Sequence, residues 1–296
     1  MTASERLIRP LIRRALQEDV RRGDLTTNAV VPPGARIRAD VRAKAAGIVA
    51  GVNAARWVFE TVDRRIRCTA KRKDGHAVRA GQVILTLHGP ARSILTAERT
   101  ALNFLGHLSG VATLTRAYVR RAGSARIAVL DTRKTIPGLR MLEKDAVRAG
   151  GGQNHRRGLD DAVLIKTNHL KAISNQQSAV SKNIPAAVRQ AKRRAKGKTV
   201  EIEVTNLREF MAALHAKPDV ILLDNWALGD IRKAVTIRKL VPRHSSLVPL
   251  LEVSGGVTLA NIRAIAKTGV ERISIGRLTH SAPALDVSLE VTSDER

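Results

Sequence analysis

The sequence predicts an α/β protein in which a small sheet domain precedes a series of βα units. Three observations lead to this fold class. Up to about residue 90, short alternating apolar stretches are separated by Gly and Pro turns, as expected of short strands. From about residue 125, apolar runs alternate with helical patterns, as in a parallel sheet. Aromatic residues make up only 2% of the 296 residues, so Ala, Val, Leu and Ile must fill the core.

The amino-terminal part begins with a predicted helix over residues 6–18, which has apolar side chains on one face. Residues 25–90 are predicted to form the small sheet, with one helix near residues 54–62. Two more helices are predicted, over residues 91–107 and from residue 109 or 110 to residue 122. These elements would form one domain.

Six apolar runs in the remainder are the predicted parallel strands. They cover residues 127–130, 162–165, 200–204, 220–223, 247–251 and 273–275. Helical patterns lie between them, including residues 184–196, 207–215, 228–241 and 259–267. Short apolar strands suit a sheet that is covered on both faces. Six units in about 150 residues favour a closed barrel, with an open doubly wound sheet as the alternative.

Polar and glycine residues follow most of these strands. The set comprises Arg133, Lys134, Lys166, Asp224, Ser254, Gly255, Gly256 and Gly276. In α/β barrels the active site gathers at the carboxyl ends of the strands. Packing alone would place charges on helix faces, so this distribution predicts a functional site at that edge.

Glu201 and Glu203 share one face of a predicted strand, because side chains alternate with a period of two. Buried carboxylates must be paired or must bind a metal ion. Lys134 and Lys166 are candidate partners, and purely structural ion pairs are the alternative. Glu203 and Asp224 could hold Mg²⁺, which favours one or two carboxylates together with substrate phosphates.

The turn Ser254–Gly256 follows a strand and precedes a predicted helix. Glycines let backbone N–H groups approach a phosphate, and a helix N-terminus favours an anion. Gly276 follows the next strand, where barrels place the other half of a phosphate site. A tight turn without a ligand is the alternative interpretation.

Basic residues predict that the ligand also carries carboxylates. Arg133 follows a strand, while His155 and Arg156 follow three consecutive glycines. Guanidinium groups match carboxylates with two parallel hydrogen bonds. The ligand is therefore expected to combine phosphate and carboxylate groups.

Several longer motifs run in order from about residue 10 to residue 290. They include Ala97–Phe104, Leu108–Thr113, Asp131–Arg140, Gly150–Arg156, Leu164–Lys166, Asn168–His169, Leu222–Asn225, Ser254–Gly256 and Leu278–Ser281. On these motifs the sequence resembles the quinolinate phosphoribosyltransferase family. The resemblance implies decarboxylating transfer of phosphoribose from phosphoribosyl pyrophosphate to quinolinate, giving nicotinate mononucleotide for NAD biosynthesis.

The resemblance also implies an architecture. Residues 1–112 would form an open α/β sandwich, on which the carboxyl-terminal tail 279–296 packs back. Residues 113–278 would form an incomplete α/β barrel with seven strands, one more than the apolar runs identify. Such enzymes are homodimers or hexamers, in which Arg99 would complete the active site of the neighbouring subunit.

Residue roles follow from the matching motifs. The residues that would bind the carboxylates of quinolinate are Arg99, Arg133, His155, Arg156 and Lys166. The catalytic residues facing phosphoribosyl pyrophosphate would be Lys134, Glu203 and Asp224, of which Glu203 and Asp224 would bind Mg²⁺. The residues that would hold the 5-phosphate are Ser254, Gly255, Gly256 and Gly276.

The sequence departs from the family pattern at three positions. Thr167 replaces the usual Asp beside Lys166, Asp145 stands where an aromatic residue is common, and Gln153 occupies a position for a small residue. These departures leave open an enzyme of the same fold that prefers another pyridine or azole acid.

The net charge of +26, from 52 basic and 26 acidic residues, has three interpretations. They are nucleic-acid binding, an enzyme for polyanionic substrates, and an Arg-rich surface without a specific role. The scarcity of stacking aromatics and the lack of a helix-turn-helix or zinc motif argue against nucleic-acid binding. One cysteine excludes an internal disulfide and a cysteine-based zinc site. A cytoplasmic protein is expected, since no signal peptide and no apolar run of about 18 residues is present.

Overall fold

The computed structural model describes residues 3–123, 126–173, 180–241 and 248–292. The chain divides into two compact units. The first comprises the residues up to 116, residues 135–151 and those from 278 onward, and the second comprises residues 117–134 and 152–277. The predicted domain boundary at residue 112 stays a prediction, and residues 293–296 of the predicted tail lie outside the described residues.

The first unit contains a four-stranded antiparallel sheet. Its elements are α1 (Ala3–Val20), α2 (Leu25–Val30), β1 (Arg36–Ala43), β2 (Gly47–Ile48), α3 (Val52–Val62), β3 (Arg67–Ala70), β4 (Ala77–Val78), β5 (Val83–Pro90), most of α4 (Ala91–Ala122), α5 (Arg140–Ala149) and β12 (Val287–Thr292). The strand order is β12-β1-β5-β3, and β2 pairs separately with β4. Strand β12 pairs with β1 along its length, so the last described strand completes the first sheet.

Helix α4 is continuous from Ala91 to Ala122, so the prediction of two helices that meet near residue 108 was wrong. The glycines of this helix serve close packing. A Cβ at Gly106 would lie 2.9 Å from the Leu285 carbonyl oxygen, and one at Gly110 would lie 2.9 Å from the Ala284 Cα. The backbone at Ala284 and Leu285 can therefore pass close to α4 only where α4 has glycines. Neither α4 nor any other described helix is long and apolar enough to cross a membrane.

The second unit contains a six-stranded parallel sheet among the described residues. Its elements are β6 (Ala128–Leu130), β7 (Val163–Ile165), α6 (Thr167–Ala172), α7 (Val180–Arg194), β8 (Val200–Val204), α8 (Leu207–Ala216), β9 (Val220–Asp224), α9 (Leu228–Lys239), β10 (Leu250–Ser254), α10 (Ile262–Ala266) and β11 (Arg272–Ser274); α11 (Arg277–His280) leads back to the first unit. The strand order is β6-β11-β10-β9-β8-β7. Residues 220–223 of β9 are all buried, which shows that both faces of the sheet are covered.

The predicted α/β fold class with an incomplete barrel is confirmed, because β6 and β7 are the two edges of the six-stranded sheet and do not pair with each other. The seventh strand is reduced to a single parallel bridge between Leu130 and Gln153. Two backbone hydrogen bonds make up this contact, from the Gln153 N–H to the Val129 oxygen and from the Asp131 N–H to the Gln153 oxygen. So short a contact does not require a run of apolar residues, which is why the sequence pattern did not indicate this strand.

Two predicted elements are displaced. The strand predicted over residues 247–251 is β10, which begins at Leu250, while Leu247 lies outside the described residues. Glu252 is consequently inside the strand and fully buried. The helix predicted over residues 259–267 begins only at Ile262, so no helix N-terminus lies directly behind the glycine turn.

Candidate active site

The carboxyl ends of the parallel strands in the second unit bring the predicted site residues to one edge. In the strand register, Ser254 lies opposite both Asp224 and Ser274, and Leu130 also pairs with Ser274. The site residues that lie at or just after strand ends are Arg133, Lys134, Lys166, Glu203, Asp224, Ser254, Gly255, Gly256 and Gly276. His155 and Arg156 follow the Gln153 bridge. Arg99 belongs to the first unit, where it is exposed on α4.

The Glu203 carboxylate is held from both sides. Its Oε2 lies 3.4 Å from the Lys166 Nζ, which confirms one of the ion-pair partners predicted from the sequence. Its Oε1 accepts hydrogen bonds from the Thr167 hydroxyl at 2.9 Å and from the Thr167 backbone N–H at 3.3 Å. The Glu203 side chain is only 12% exposed, so these donors fix its orientation.

Asp224 ends β9 beside this pair. Burial, and then the negative charge of Glu203, raise the pKa of the Asp224 carboxyl, while a hydrogen bond from the Asn225 side chain and the charges of Lys166 and Lys134 act in the opposite direction. Two carboxylates and two lysines therefore share one electrostatic environment. A divalent cation between Glu203 and Asp224 would relieve their repulsion, which is the feature that fits these residues to Mg²⁺.

The glycine turn after β10 has a backbone conformation that requires glycine. Gly255 and Gly256 have φ angles of 83° and 61°, and L-residues rarely adopt such angles. A Cβ at Gly255 would lie 2.5 Å from the Asn225 Cγ. Asn225 in turn donates its N–H to the Ser254 oxygen at 2.9 Å and its side-chain amide to Asp224 at 3.0 Å. The turn and the Asp224 carboxylate are therefore coupled through Asn225.

Two guanidinium groups lie close together at the same edge. Burial, and then the charge of Arg133, lower the pKa of Arg156. The Arg156 side chain is fixed by a hydrogen bond to the Ala162 oxygen at 3.0 Å. Like charges held together in a partly buried place are stabilised by a bound anion, and two carboxylates on one ring would match two guanidinium groups.

Beneath the arginines lies a buried polar network. The His155 Nε2 is 3.0 Å from Glu201 and 3.4 Å from Glu252, and Arg272 Nε is 2.6 Å from the other Glu252 oxygen. The sequence interpretation proposed lysine partners for Glu201, which was wrong, since its partner is His155. Glu252 and Arg272 were missed because their pairing depends on the register of β10 against β11.

The network retains one extra proton at neutral pH. Burial lowers the pKa of His155, but hydrogen bonds to Glu201 and Glu252 raise it further, to about 9. Burial and the charge of Glu252 raise the pKa of Glu201.

Among the described residues, three side chains of this network form a cluster of His and Glu residues that could together hold a metal ion. The ligand atoms of His155, Glu201 and Glu252 lie within 4.8 Å of one another. Arg272 and the shared proton already compensate these charges, so the chemistry of the network does not call for a metal ion.

Comparison with known proteins identifies the family. The family model of the quinolinate phosphoribosyl transferase N-terminal domain matches residues 24–109, and the model of the C-terminal domain matches residues 111–290. The chain belongs to the quinolinate phosphoribosyltransferase family. The matched ranges include every residue of the predicted site.

Relatives of this quinolinate phosphoribosyltransferase family member cover nearly its whole length. It is 42% identical over 286 residues to the carboxylating nicotinate-nucleotide pyrophosphorylase of Mycobacterium leprae, with 96% of both chains covered. It is 39% identical over 285 residues to the probable enzyme of that name from Bacillus subtilis, covering 96% of this chain and 93% of the relative. The solved nicotinate-nucleotide pyrophosphorylase of Francisella tularensis superimposes with a TM-score of 0.87 at 41% identity, covering 97% of both chains.

Thr167 is one of the three positions at which the sequence was expected to depart from the family pattern. An Asp here would bring a third carboxylate towards Glu203 and Asp224, whereas Thr167 supplies a donor to Glu203. The other two departures lie elsewhere: Asp145 pairs with Arg148 on α5, and Gln153 forms the bridge to Leu130. Thr167 is therefore the departure with a direct consequence for the site.

The Thr167→Val substitution is expected to lower kcat by about tenfold, because it removes one hydrogen bond to a charged group, which contributes about 1.5 kcal/mol. The Thr167→Ser variant keeps the hydroxyl and should retain most of the activity. Steady-state kinetics of both variants checks this. Equal activity of the Val and Ser variants would show that the hydroxyl does not position Glu203.

Proposed function

We propose that the chain transfers the phosphoribosyl group of phosphoribosyl pyrophosphate to the ring nitrogen of quinolinate and releases pyrophosphate and carbon dioxide. The product is nicotinate mononucleotide, which places this pentosyltransferase in NAD biosynthesis. The family match over both domains supports the reaction. The observation that carries it is the grouping of two arginines, two lysines and two carboxylates at one edge of the parallel sheet. We assign the enzyme to the cytoplasm.

Quinolinate binds at the basic part of this edge. Its two carboxylates pair with Arg133 and Arg156, whose positive charges lie close together, and with Lys166, whose side chain is half exposed. Planar guanidinium groups suit adjacent carboxylates on a flat ring. His155 and, from the neighbouring subunit, Arg99 complete the proposed quinolinate site.

Phosphoribosyl pyrophosphate binds across the carboxylates and the glycine turn. Ser254, Gly255, Gly256 and Gly276 hold the 5-phosphate through backbone N–H groups. Lys134 neutralises charge on the leaving pyrophosphate. Glu203 and Asp224 face the ribose and hold Mg²⁺, which would neutralise the pyrophosphate when bound.

The reaction builds positive charge at the ribose before the new bond forms. As the bond to pyrophosphate breaks, the sugar acquires oxocarbenium character, which a fixed carboxylate stabilises electrostatically. Glu203 is suited to this role because Lys166 and Thr167 hold it in place. The quinolinate nitrogen then bonds to the ribose and becomes cationic. The cationic ring accepts the electron pair released when the 2-carboxylate leaves as carbon dioxide, and a proton replaces it.

Product formation tests the proposed function. Purified protein with quinolinate, phosphoribosyl pyrophosphate and Mg²⁺ should form nicotinate mononucleotide and carbon dioxide in equal amounts, and EDTA should stop both. Nicotinate and azole acids are assayed in parallel under the same conditions. Turnover of one of those acids with none of quinolinate would replace the proposed substrate by a diverged one.

We also propose that the enzyme is a homodimer or a hexamer in which Arg99 completes the site of a neighbouring subunit. Arg99 is exposed on α4, so it is accessible to another chain. The variants Arg99→Ala and Lys166→Ala should each be nearly inactive. A dimer that combines one subunit of each variant, however, contains one site in which both residues are intact. Unfolding and refolding an equimolar mixture should restore roughly a quarter of wild-type activity. No recovery in mixed assemblies would place Arg99 in the site of its own chain or outside any site.

A further inference from the structure

Behind His155 lies a buried network of Arg272, Glu252 and Glu201, and these three residues have no role in the chemistry described above. Glu201 is 3% exposed and Glu252 is fully buried, and the neighbours of each along its strand are buried apolar side chains. Replacing a buried ion pair by apolar residues of similar volume is often neutral or stabilising. Stability alone is therefore a poor explanation for charges at these positions.

The network reaches the substrate edge through His155, and both ring nitrogens are engaged. Nε2 faces Glu201 and Glu252, while Nδ1 accepts the backbone N–H of Arg156. The orientation of this ring therefore sets the position of the backbone at Arg156.

A second anchor fixes the same backbone from the other side. The His155 N–H donates to the Asp131 carboxylate at 2.9 Å, and Asp131 is fully buried. Arg156 is thus preceded by a residue held at its backbone and at both ends of its ring. Its own guanidinium then reaches the Ala162 oxygen and the vicinity of Arg133.

We propose that Glu252 and Arg272, together with Glu201, are positioning residues that act through His155 to hold Arg156 for the quinolinate carboxylates. This inference rests on the proposed function. It adds to the proposed quinolinate site a layer of residues that do not touch the substrate. Rigid support of this kind matters because a displacement of about 1 Å in a binding group weakens recognition strongly.

The test compares two ion pairs in the same unit. Glu252→Gln breaks the buried pair, and the double variant Glu252→Leu/Arg272→Leu removes it without leaving an unpaired charge. Glu271→Gln is the matched control, because Glu271 pairs with Arg238 at 2.7 Å next to the beginning of β11, away from the substrate edge. Kinetic constants, calorimetric binding of quinolinate and Tm are measured for each.

Both Glu252 variants should raise the KM and the Kd for quinolinate by about tenfold and leave the KM for phosphoribosyl pyrophosphate within about twofold, while Glu271→Gln changes only the Tm. If the Glu252 variants lower the Tm but leave quinolinate binding unchanged, the network is structural and the inference fails. An equal rise in both KM values would also overturn it, since it would indicate general loosening. A wild-type protein that neither binds nor converts quinolinate would refute the proposed function itself, a distinct result.

Discussion

The Lys166→Ala variant is expected to lose about 100-fold or more in kcat/KM for quinolinate while its Tm stays within a few degrees of the wild type. Lys166 is the proposed partner of a quinolinate carboxylate. Removing the partner of a bound carboxylate costs several kcal/mol in binding, because the carboxylate remains desolvated and unpaired. In the folded protein the lysine is half exposed and pairs with Glu203 at 3.4 Å. A pair of this exposure contributes at most about 1 kcal/mol to stability. Kinetics with varied quinolinate and thermal unfolding check both expectations.

Lys171→Ala is the matched control, because Lys171 is exposed on α6, the short helix that directly follows Lys166, and is not part of the proposed site. This control should bind quinolinate and unfold like the wild type. A Lys166→Met variant, which keeps the aliphatic part of the side chain, separates loss of charge from loss of packing. Normal turnover by Lys166→Ala would remove Lys166 from the site and would require another cation to pair with the quinolinate carboxylate.

Local sequence patterns identified the strand ends and the polar residues on them, because both depend on chain-local rules. An apolar run predicts a buried strand, and a charged residue directly after it marks the functional edge of the sheet. Lys166 and Asp224 were found in this way, and Lys166 was one of the two candidate partners named for Glu203. The family motifs then supplied the chemistry, which no periodicity could have provided.

Features that depend on contacts distant in sequence could not be predicted locally. Gly110 was taken as a boundary between two helices, whereas it lies inside α4, where the segment at Pro283 and Ala284 passes. Glu252 and Arg272 are neighbours only once β10 and β11 pair. In each case the residue type was informative, but its meaning depended on which segment packs against it.

The Gly255→Ala variant is expected to lower kcat/KM for phosphoribosyl pyrophosphate by at least about 100-fold. The positive φ of 83° alone costs about 1–2 kcal/mol for an L-residue. The added methyl group would also lie 2.5 Å from the Asn225 Cγ, so either the turn or Asn225 must move. Movement of the turn would displace the backbone N–H groups proposed to hold the 5-phosphate, and each hydrogen bond to a charged ligand contributes about 1.5–3 kcal/mol. Kinetics with varied phosphoribosyl pyrophosphate measures the loss.

Gly269→Ala separates backbone strain from the effect on the site. Gly269 has a φ of 97°, and a Cβ there would make only an ordinary contact of 3.5 Å with Val235, at the turn that follows α10. This control should lose stability like Gly255→Ala but keep its affinity for phosphoribosyl pyrophosphate. The double variant Gly255→Ala/Asn225→Gly removes the clash and should recover part of the lost activity, although it also removes the hydrogen bond from Asn225 to Asp224. Should Gly255→Ala retain the wild-type KM for phosphoribosyl pyrophosphate, the 5-phosphate must bind away from this turn.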